Sequence, residues 1–287
     1  DTVLNGDIQI GTEQQAGSLY LGASQISISN DRDISVEGLV LPTAMLEQFN
    51  LDELVVSSYG SLDIYNGVDL QLNNLKIEAA AINGVNNDGA IANISVADTL
   101  TLANPHQSDV NLVEAAENSS GTLNLNAEHI VLGSNLIETN GDLINQRTAV
   151  NGFSQINMTA ANGITGKGNM QLDFGNSGSD ANVTFSSPVF TVASGGALTI
   201  NAANSALNLN NVSAELVSPA YIGGRLSLDA DTVNVASLID MSGGLVNRSA
   251  TNDINIDDTI DVSGQEKLFY DKTKYIPAGS VTITSEN

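Results

Sequence analysis

A five-residue module recurs along the whole chain: a small residue, then any residue, an aliphatic, any residue and a second aliphatic. It stands at Gly17-Ser-Leu-Tyr-Leu, Gly60-Ser-Leu-Asp-Ile, Asp98-Thr-Leu-Thr-Leu, Gly121-Thr-Leu-Asn-Leu, Gly196-Ala-Leu-Thr-Ile, Gly224-Arg-Leu-Ser-Leu and Gly279-Ser-Val-Thr-Ile. Alternation with period two sends every second side chain to one face of an extended strand, so each module is a short strand with one buried face. The Gly, Asn, Asp and Ser between modules tolerate left-handed backbone angles and mark corners. The later copies, Gly196, Gly224, Asn252 and Gly279, fall 27 to 28 residues apart. A repeat of that length is one turn of a stacked architecture. Further alternating runs follow within it, such as Thr232-Val-Asn-Val and Leu238-Ile-Asp-Met, giving three short strands per turn.

These observations predict an all-β chain folded as one parallel β-helix, a β-solenoid spanning residues 1–287, because such stacks grow to this length as a single unit. The competing reading is an antiparallel sandwich with Asn-Gly hairpin turns, which occur at Asn5, Asn66, Asn83, Asn140, Asn151 and Asn162. With six Phe, six Tyr and no Trp among 287 residues, the core is expected to consist of Val, Ile, Leu and Ala. Two stretches depart from the pattern. Pro42 to Leu54 has helical spacing with Thr43 as its expected N-cap. Gln265 to Ala278 reads as an excursion from the stack.

Charge narrows the partners. Against 33 Asp and Glu stand 9 Lys and Arg, a formal net charge of -24. A surface so negative repels phosphate backbones and anionic headgroups, so no nucleic acid and no membrane insertion are expected. There is no Cys, hence no disulfide framework. No apolar run of membrane-spanning length appears, and Asp1-Thr2-Val3 does not open a signal peptide, so the chain reads as an interior piece or a matured product.

Ser57-Ser-Tyr-Gly-Ser-Leu-Asp-Ile-Tyr-Asn-Gly-Val-Asp-Leu, Asn74-Leu-Lys-Ile-Glu-Ala-Ala-Ala-Ile, Gly121-Thr-Leu-Asn-Leu-Asn-Ala-Glu-His-Ile-Val-Leu-Gly and Ile260-Asp-Val-Ser-Gly resemble the large filamentous-haemagglutinin-like exoproteins of bacteria. The likeness is one of repeat style and runs through most of the chain. It implies a right-handed parallel β-helix, two-partner secretion through an outer-membrane partner, and an extracellular or outer-surface adhesin. The family's secretion domain with its Asn-Pro-Asn-Gly type motif is not recognisable; Asn104-Pro-His and Asn162-Gly-Ile are the nearest strings.

No constellation for catalysis emerges, and the chain is not expected to be an enzyme. His106 and His129 stand in no metal-ligand spacing and are read as structural or surface residues. Gly163-Ile-Thr-Gly-Lys-Gly lacks phosphate-loop spacing and is read as a turn. A carbohydrate-active enzyme would need a groove lined by acids and bases together, and the nine basic residues are too scattered. Stacked carboxylates at Asp229, Asp231, Asp240, Asp253, Asp257 and Asp261 could ligate calcium; the plainer reading is a solvated acidic face, and no other cofactor is expected. Lys267, Phe269, Tyr270, Lys272, Lys274 and Tyr275 form the candidate recognition segment, since aromatics stack on sugars and Lys pairs with acidic groups on a glycan or on another copy of the chain. The plainer reading packs those aromatics back on the wall. The functional expectation is a secreted or surface-displayed adhesive scaffold binding cells, surfaces or glycans; the alternative is a subunit of a self-assembling extracellular fibre.

Overall fold

The computed structural model describes residues 10–11, 15–31, 34, 36–85, 88–107, 120–135, 138–139, 142–175, 181–213 and 221–286. Strand accounts for 67% of the described residues and helix for 2%. In order the elements are β1 (Gly17–Ala23), β2 (Ile26–Ser29), β3 (Leu39–Pro42), α1 (Thr43–Leu46), β4 (Leu51–Tyr65), β5 (Asp69–Leu72), β6 (Asn74–Val85), β7 (Ile91–Val96) and β8 (Thr99–Ala103). Then come β9 (Thr122–Leu132), β10 (Glu138–Thr139), β11 (Asp142–Leu143), β12 (Asn145–Asn151), β13 (Gln155–Gly166), β14 (Asn169–Phe174), β15 (Asn182–Ser186), β16 (Val189–Val192) and β17 (Ala197–Asn210). The chain finishes with β18 (Arg225–Ala236), β19 (Leu238–Asp240), β20 (Leu245–Ala250), β21 (Ile254–Ile256), β22 (Ile260–Asp261), β23 (Gln265–Phe269), β24 (Lys272–Ile276) and β25 (Ser280–Ser285).

Twenty-one of these strands form one sheet. Its pairs are parallel, with partners from 13 residues apart (Ile26 with Leu39) to 68 apart (Ala81 with Ala149). Parallel neighbours cannot be joined by a tight hairpin, so the antiparallel sandwich is excluded. The expected solenoid is also corrected. Three short strands per turn would leave separate faces, whereas β4, β6, β9, β13, β17 and β18 run 11 to 15 residues without a break. They turn corners through register shifts, at Ser58/Ser61, Ala160/Gly163 and Ala202/Ala206. Pairing therefore passes from face to face and returns to its start through β6, β12, β14, β17, β15, β13, β9, β8 and back to β6. The main sheet closes into an eight-strand parallel β-barrel, not an open right-handed β-helix. Period-two alternation reports which side chains point inward; it is silent on whether a corner breaks the strand or is absorbed as a bulge. For the same reason Gly163 to Gly166, read as a turn, lies inside β13.

The modules nonetheless lie in strands, and their aliphatics point inward. Leu198, Leu226, Val246 and Val281 form one in-register column. The step after Gly224 is Gly244, not Asn252, followed by Gly279: Leu245 N–H donates to Gly224 O and Ser280 N–H to Gly244 O. The true spacing is thus uneven, and Gly244-Leu-Val-Asn-Arg was hidden because Arg248 occupies the second aliphatic slot.

These glycines mark a close backbone approach. A Cβ on Gly244 would meet Gly224 O at 2.7 Å, and one on Gly279 would meet Gly244 O at 1.7 Å. Backbone cannot yield as a flexible side chain does, so Gly279→Ala is expected to push β25 off β20. The cost should be about 1–3 kcal/mol of local stability, the usual range for overpacking. Hydrogen exchange should show lost protection across Ser280–Ser285 with β17 and β18 unchanged; retained protection would refute the contact.

The core is aliphatic along most of its length, but not throughout. Phe153, Phe174, Phe185 and Phe190 are buried, and Phe185 meets Phe174 and Phe190 edge-on at centroid distances of 5.9 and 5.5 Å. Outward positions are polar and also stack. Asp69, Asn93, Asn124, Asn157, Thr184, Asn208, Asn234 and Asn255 share one column. Within it Asn124 donates to Asn93, Asn157 to Asn124, Asn234 to Asn208 and Asn255 to Asn234, at 2.8 to 2.9 Å. Each amide holds a donor and an acceptor, so identical residues in parallel register bond along the stack.

The helix is four residues long rather than spanning Pro42 to Leu54, because Leu51 onward joins β4. Its N-cap is Pro42, and Thr43 Oγ1 instead donates to Asn30 Oδ1 at 2.7 Å.

Candidate functional site

The recognition segment Lys267 to Tyr275 forms its own antiparallel sheet, β23 with β24, inserted between β22 and β25. Lys267 pairs with Lys274 and Phe269 with Lys272 in backbone register. Since directly opposed residues share a face and alternate residues return to it, Lys267, Lys272 and Lys274 lie on one face. Tyr275 and Leu268 lie on the other. The turn is Tyr270-Asp271, with Tyr270 held at φ 55°, a left-handed conformation uncommon for a bulky residue. Tyr270 is fully exposed, and Tyr275 and Leu268 mostly so, so these side chains do not pack back on the wall. Three of the nine basic residues of an acidic chain thus share one face of a two-stranded projection, with Tyr270 at its turn and Tyr275 on its other face.

The six aspartates lie where alternation puts them, outside the core, without converging. Asp240 sits beside Asp261 in adjacent strands. Asp261 Oδ1 accepts from Ser263 N–H at 2.8 Å, and bonding to Ser263 lowers its pKa. Asp231 accepts from Asn252 Nδ2 at 2.9 Å, and Asp229 is exposed. Asp253 and Asp257 flank β21, whose backbone they help pair: Asp253 O accepts from Val233 N–H, and Asp257 N–H donates to Val235 O. Calcium needs six or more oxygens. No three of these carboxylates bring ligand atoms within 4.8 Å of one another; among the described residues only Asp98, Glu128 and His129 do so. There His129 N–H donates to Asp98 O at 2.9 Å, fixing the neighbouring strands in register. Two carboxylates and an imidazole, all exposed, suit a first-row transition ion better than calcium.

His106 also belongs to a cluster. Its Nε2 lies 3.1 Å from Ser57 Oγ and 3.6 Å from Glu78 Oε2, while Lys76 Nζ sits 2.5 Å from Glu78 Oε1. The ring leans on Tyr59 at 4.8 Å. A nucleophile triad needs its hydroxyl and its carboxylate on opposite imidazole nitrogens. Here both approach the same one, and Ser57 is buried. The grouping therefore brings side chains of β4 and β6 together against the segment that follows β8. Neither histidine cluster was visible in the sequence, because its members come from different strands. Only the register, Ser57 beside Glu78 and Thr99 beside His129, joins them.

A buried polar column completes the inventory. Asp63 accepts from Gln25 Nε2 at 2.5 Å and from Asn83 Nδ2 at 2.9 Å, and Asn151 Nδ2 donates to Asn83. Desolvation, and then the Asp63 charge, raise the pKa of Tyr65.

Comparison with known proteins adds no name to this geometry: no family model matches the chain, and no curated protein and no solved structure does.

Proposed function

We propose that the chain is a non-catalytic adhesive module of a bacterial exoprotein, displayed or released outside the cell, which binds acidic glycans through the β23–β24 hairpin. The observation that carries this reading is the placement of Lys267, Lys272 and Lys274 on one face of a projecting hairpin in a protein of net charge -24. Ammonium groups pair with glycan carboxylates or sulfates, and exposed tyrosines offer flat surfaces for sugar rings. A closed parallel barrel supplies a rigid base for such a projection, and rigidity limits the ordering cost of binding. The repeat-style resemblance to bacterial exoproteins supports the outer-surface setting and export through an outer-membrane partner.

Binding to immobilised sialylated and sulfated glycans tests the reading. The double variant Lys272→Glu, Lys274→Glu should weaken binding by about tenfold or more, as expected when attractive charges become repulsive, and added salt should weaken the parent protein alike. Tyr275→Ala should weaken neutral and acidic sugars together. Unchanged binding in both variants would sink the proposal, as would failure of every glycan to bind.

A further inference from the structure

Along a regular strand successive side chains alternate between the two faces, so neighbours in sequence do not share a ligand. β9 departs from this rule at its bend. Its side chains alternate between buried and partly exposed up to Ala127, after which Glu128 and His129 are both exposed before Ile130 returns to the core. The next strand, β13, shifts register against the same point, between Ala160 and Gly163. On the strand before, Thr99 pairs with His129, and Asp98 stands one residue ahead of it, also exposed. On the strand after, Gly163 pairs with His129 and has no side chain to cover the imidazole.

The backbone fixes this meeting, because His129 N–H donates to Asp98 O at 2.9 Å. One ligand atom from each of Asp98, Glu128 and His129 then lies within 4.8 Å of the other two. Around a tetrahedral zinc ion with bonds of about 2.0–2.2 Å, ligand atoms stand about 3.4 Å apart. Small rotations of exposed side chains close that difference, and the backbone stays where it is. We infer that Asp98, Glu128 and His129 bind a zinc ion, with water completing its coordination. Charge alone would not single out these residues, since the chain holds 33 Asp and Glu. The imidazole does. A nitrogen donor suits zinc, nickel or copper, whereas calcium and magnesium take oxygen ligands. Two carboxylates offset the charge of the dication. The ion joins β9 to the residue that leads into β8, so its binding favours the folded state. The glycan reading is independent of this site, which lies outside the β23–β24 hairpin.

Calorimetric titration of the tag-free chain with zinc chloride, after EDTA treatment and dialysis into physiological salt, provides the test. One ion should bind per chain, and saturating zinc should raise the melting temperature. His129→Ala should weaken binding by at least the roughly tenfold that even a change outside the coordination sphere costs. Asp98→Asn should do the same while keeping the main-chain carbonyl that accepts from His129. His106→Ala, in the separate Ser57–Glu78 cluster, should leave the affinity as it is, and excess calcium should not displace the zinc. In EDTA all three variants should melt with the parent. A chain that takes up no more zinc than its His129→Ala variant overturns the inference. So does displacement by calcium, the mark of diffuse attraction to an acidic surface, and so does a loss of binding in His106→Ala instead.

Discussion

Phe185→Ala is expected to cost about 3–5 kcal/mol of folding free energy, the largest loss from any single truncation in this chain. Phe185 is fully buried and meets Phe174 and Phe190 edge-on at 5.9 and 5.5 Å. Truncation removes its transfer free energy, leaves a cavity and breaks two aromatic contacts worth about 0.5–1.5 kcal/mol each. β15, which carries it, pairs with β13 on one edge and β17 on the other, so its neighbours are held by the ladder and have little freedom to collapse into the gap. Phe185→Leu should recover a large part of the loss by refilling volume. Leu268→Ala, on the exposed hairpin, should stay within about 0.5 kcal/mol of the parent. Urea unfolding of the three variants, with unchanged dependence on denaturant, decides the matter. A Phe185→Ala variant as stable as Leu268→Ala would mean that the aromatic trio does not hold the barrel.

What could be read in the sequence follows from what each pattern encodes. Period-two alternation is a local property, and it placed Leu198, Leu226 and Val281 in strands with their side chains inward. Closure of the sheet is not local. It depends on strands such as β13 running on past Ala160 and Gly163 with a register shift, and the same Asn and Gly that could end a strand were absorbed there instead. The period was misread for a related reason, because Arg248 disguised the Gly244 module and Asn252 stood near the expected spacing. Composition suggested a purely aliphatic core; twelve Phe and Tyr in all left room for four buried Phe, three of them close neighbours of one another. Site chemistry was legible where it is contiguous in sequence, as in Lys267 to Tyr275, and illegible where it depends on register, as in Ser57, Glu78 and His106.

The same register argument explains the outer face. Asn at one position of successive strands is unremarkable in sequence, since Asn is also common at corners. Placed in one column, Asn93, Asn124 and Asn157 pass hydrogen bonds from strand to strand, and this penalises any slip by one residue. Inner aliphatic columns and outer amide columns therefore specify the same pairing from both sides of the sheet.

Arg248→Leu is expected to stabilise the protein, by about 1–4 kcal/mol, the range seen when even paired buried charges give way to apolar side chains. Arg248 points inward between Leu228 and Ile283, in a column continued by Ile200 and Leu172, and is 1% accessible. Its Nε, Nη1 and Nη2 have no hydrogen-bond partner among the described residues. A buried guanidinium without a carboxylate keeps the desolvation cost and gains no Coulomb attraction in return. Burial accordingly lowers its pKa. The folded state then holds that proton less firmly than the unfolded chain does, so the penalty is present at every pH below the folded-state value and would lift only as pH rises through it. The gain from Arg248→Leu should therefore be flat across the neutral range. Arg248→Lys keeps the charge and should bring no gain, and Arg248→Ala should gain less than Leu because it leaves a void. Thermal and urea unfolding of the three variants give the ranking. Should Arg248→Leu prove less stable than the parent, the guanidinium must be paired, and the column would have to hold a carboxylate or an anion beside it.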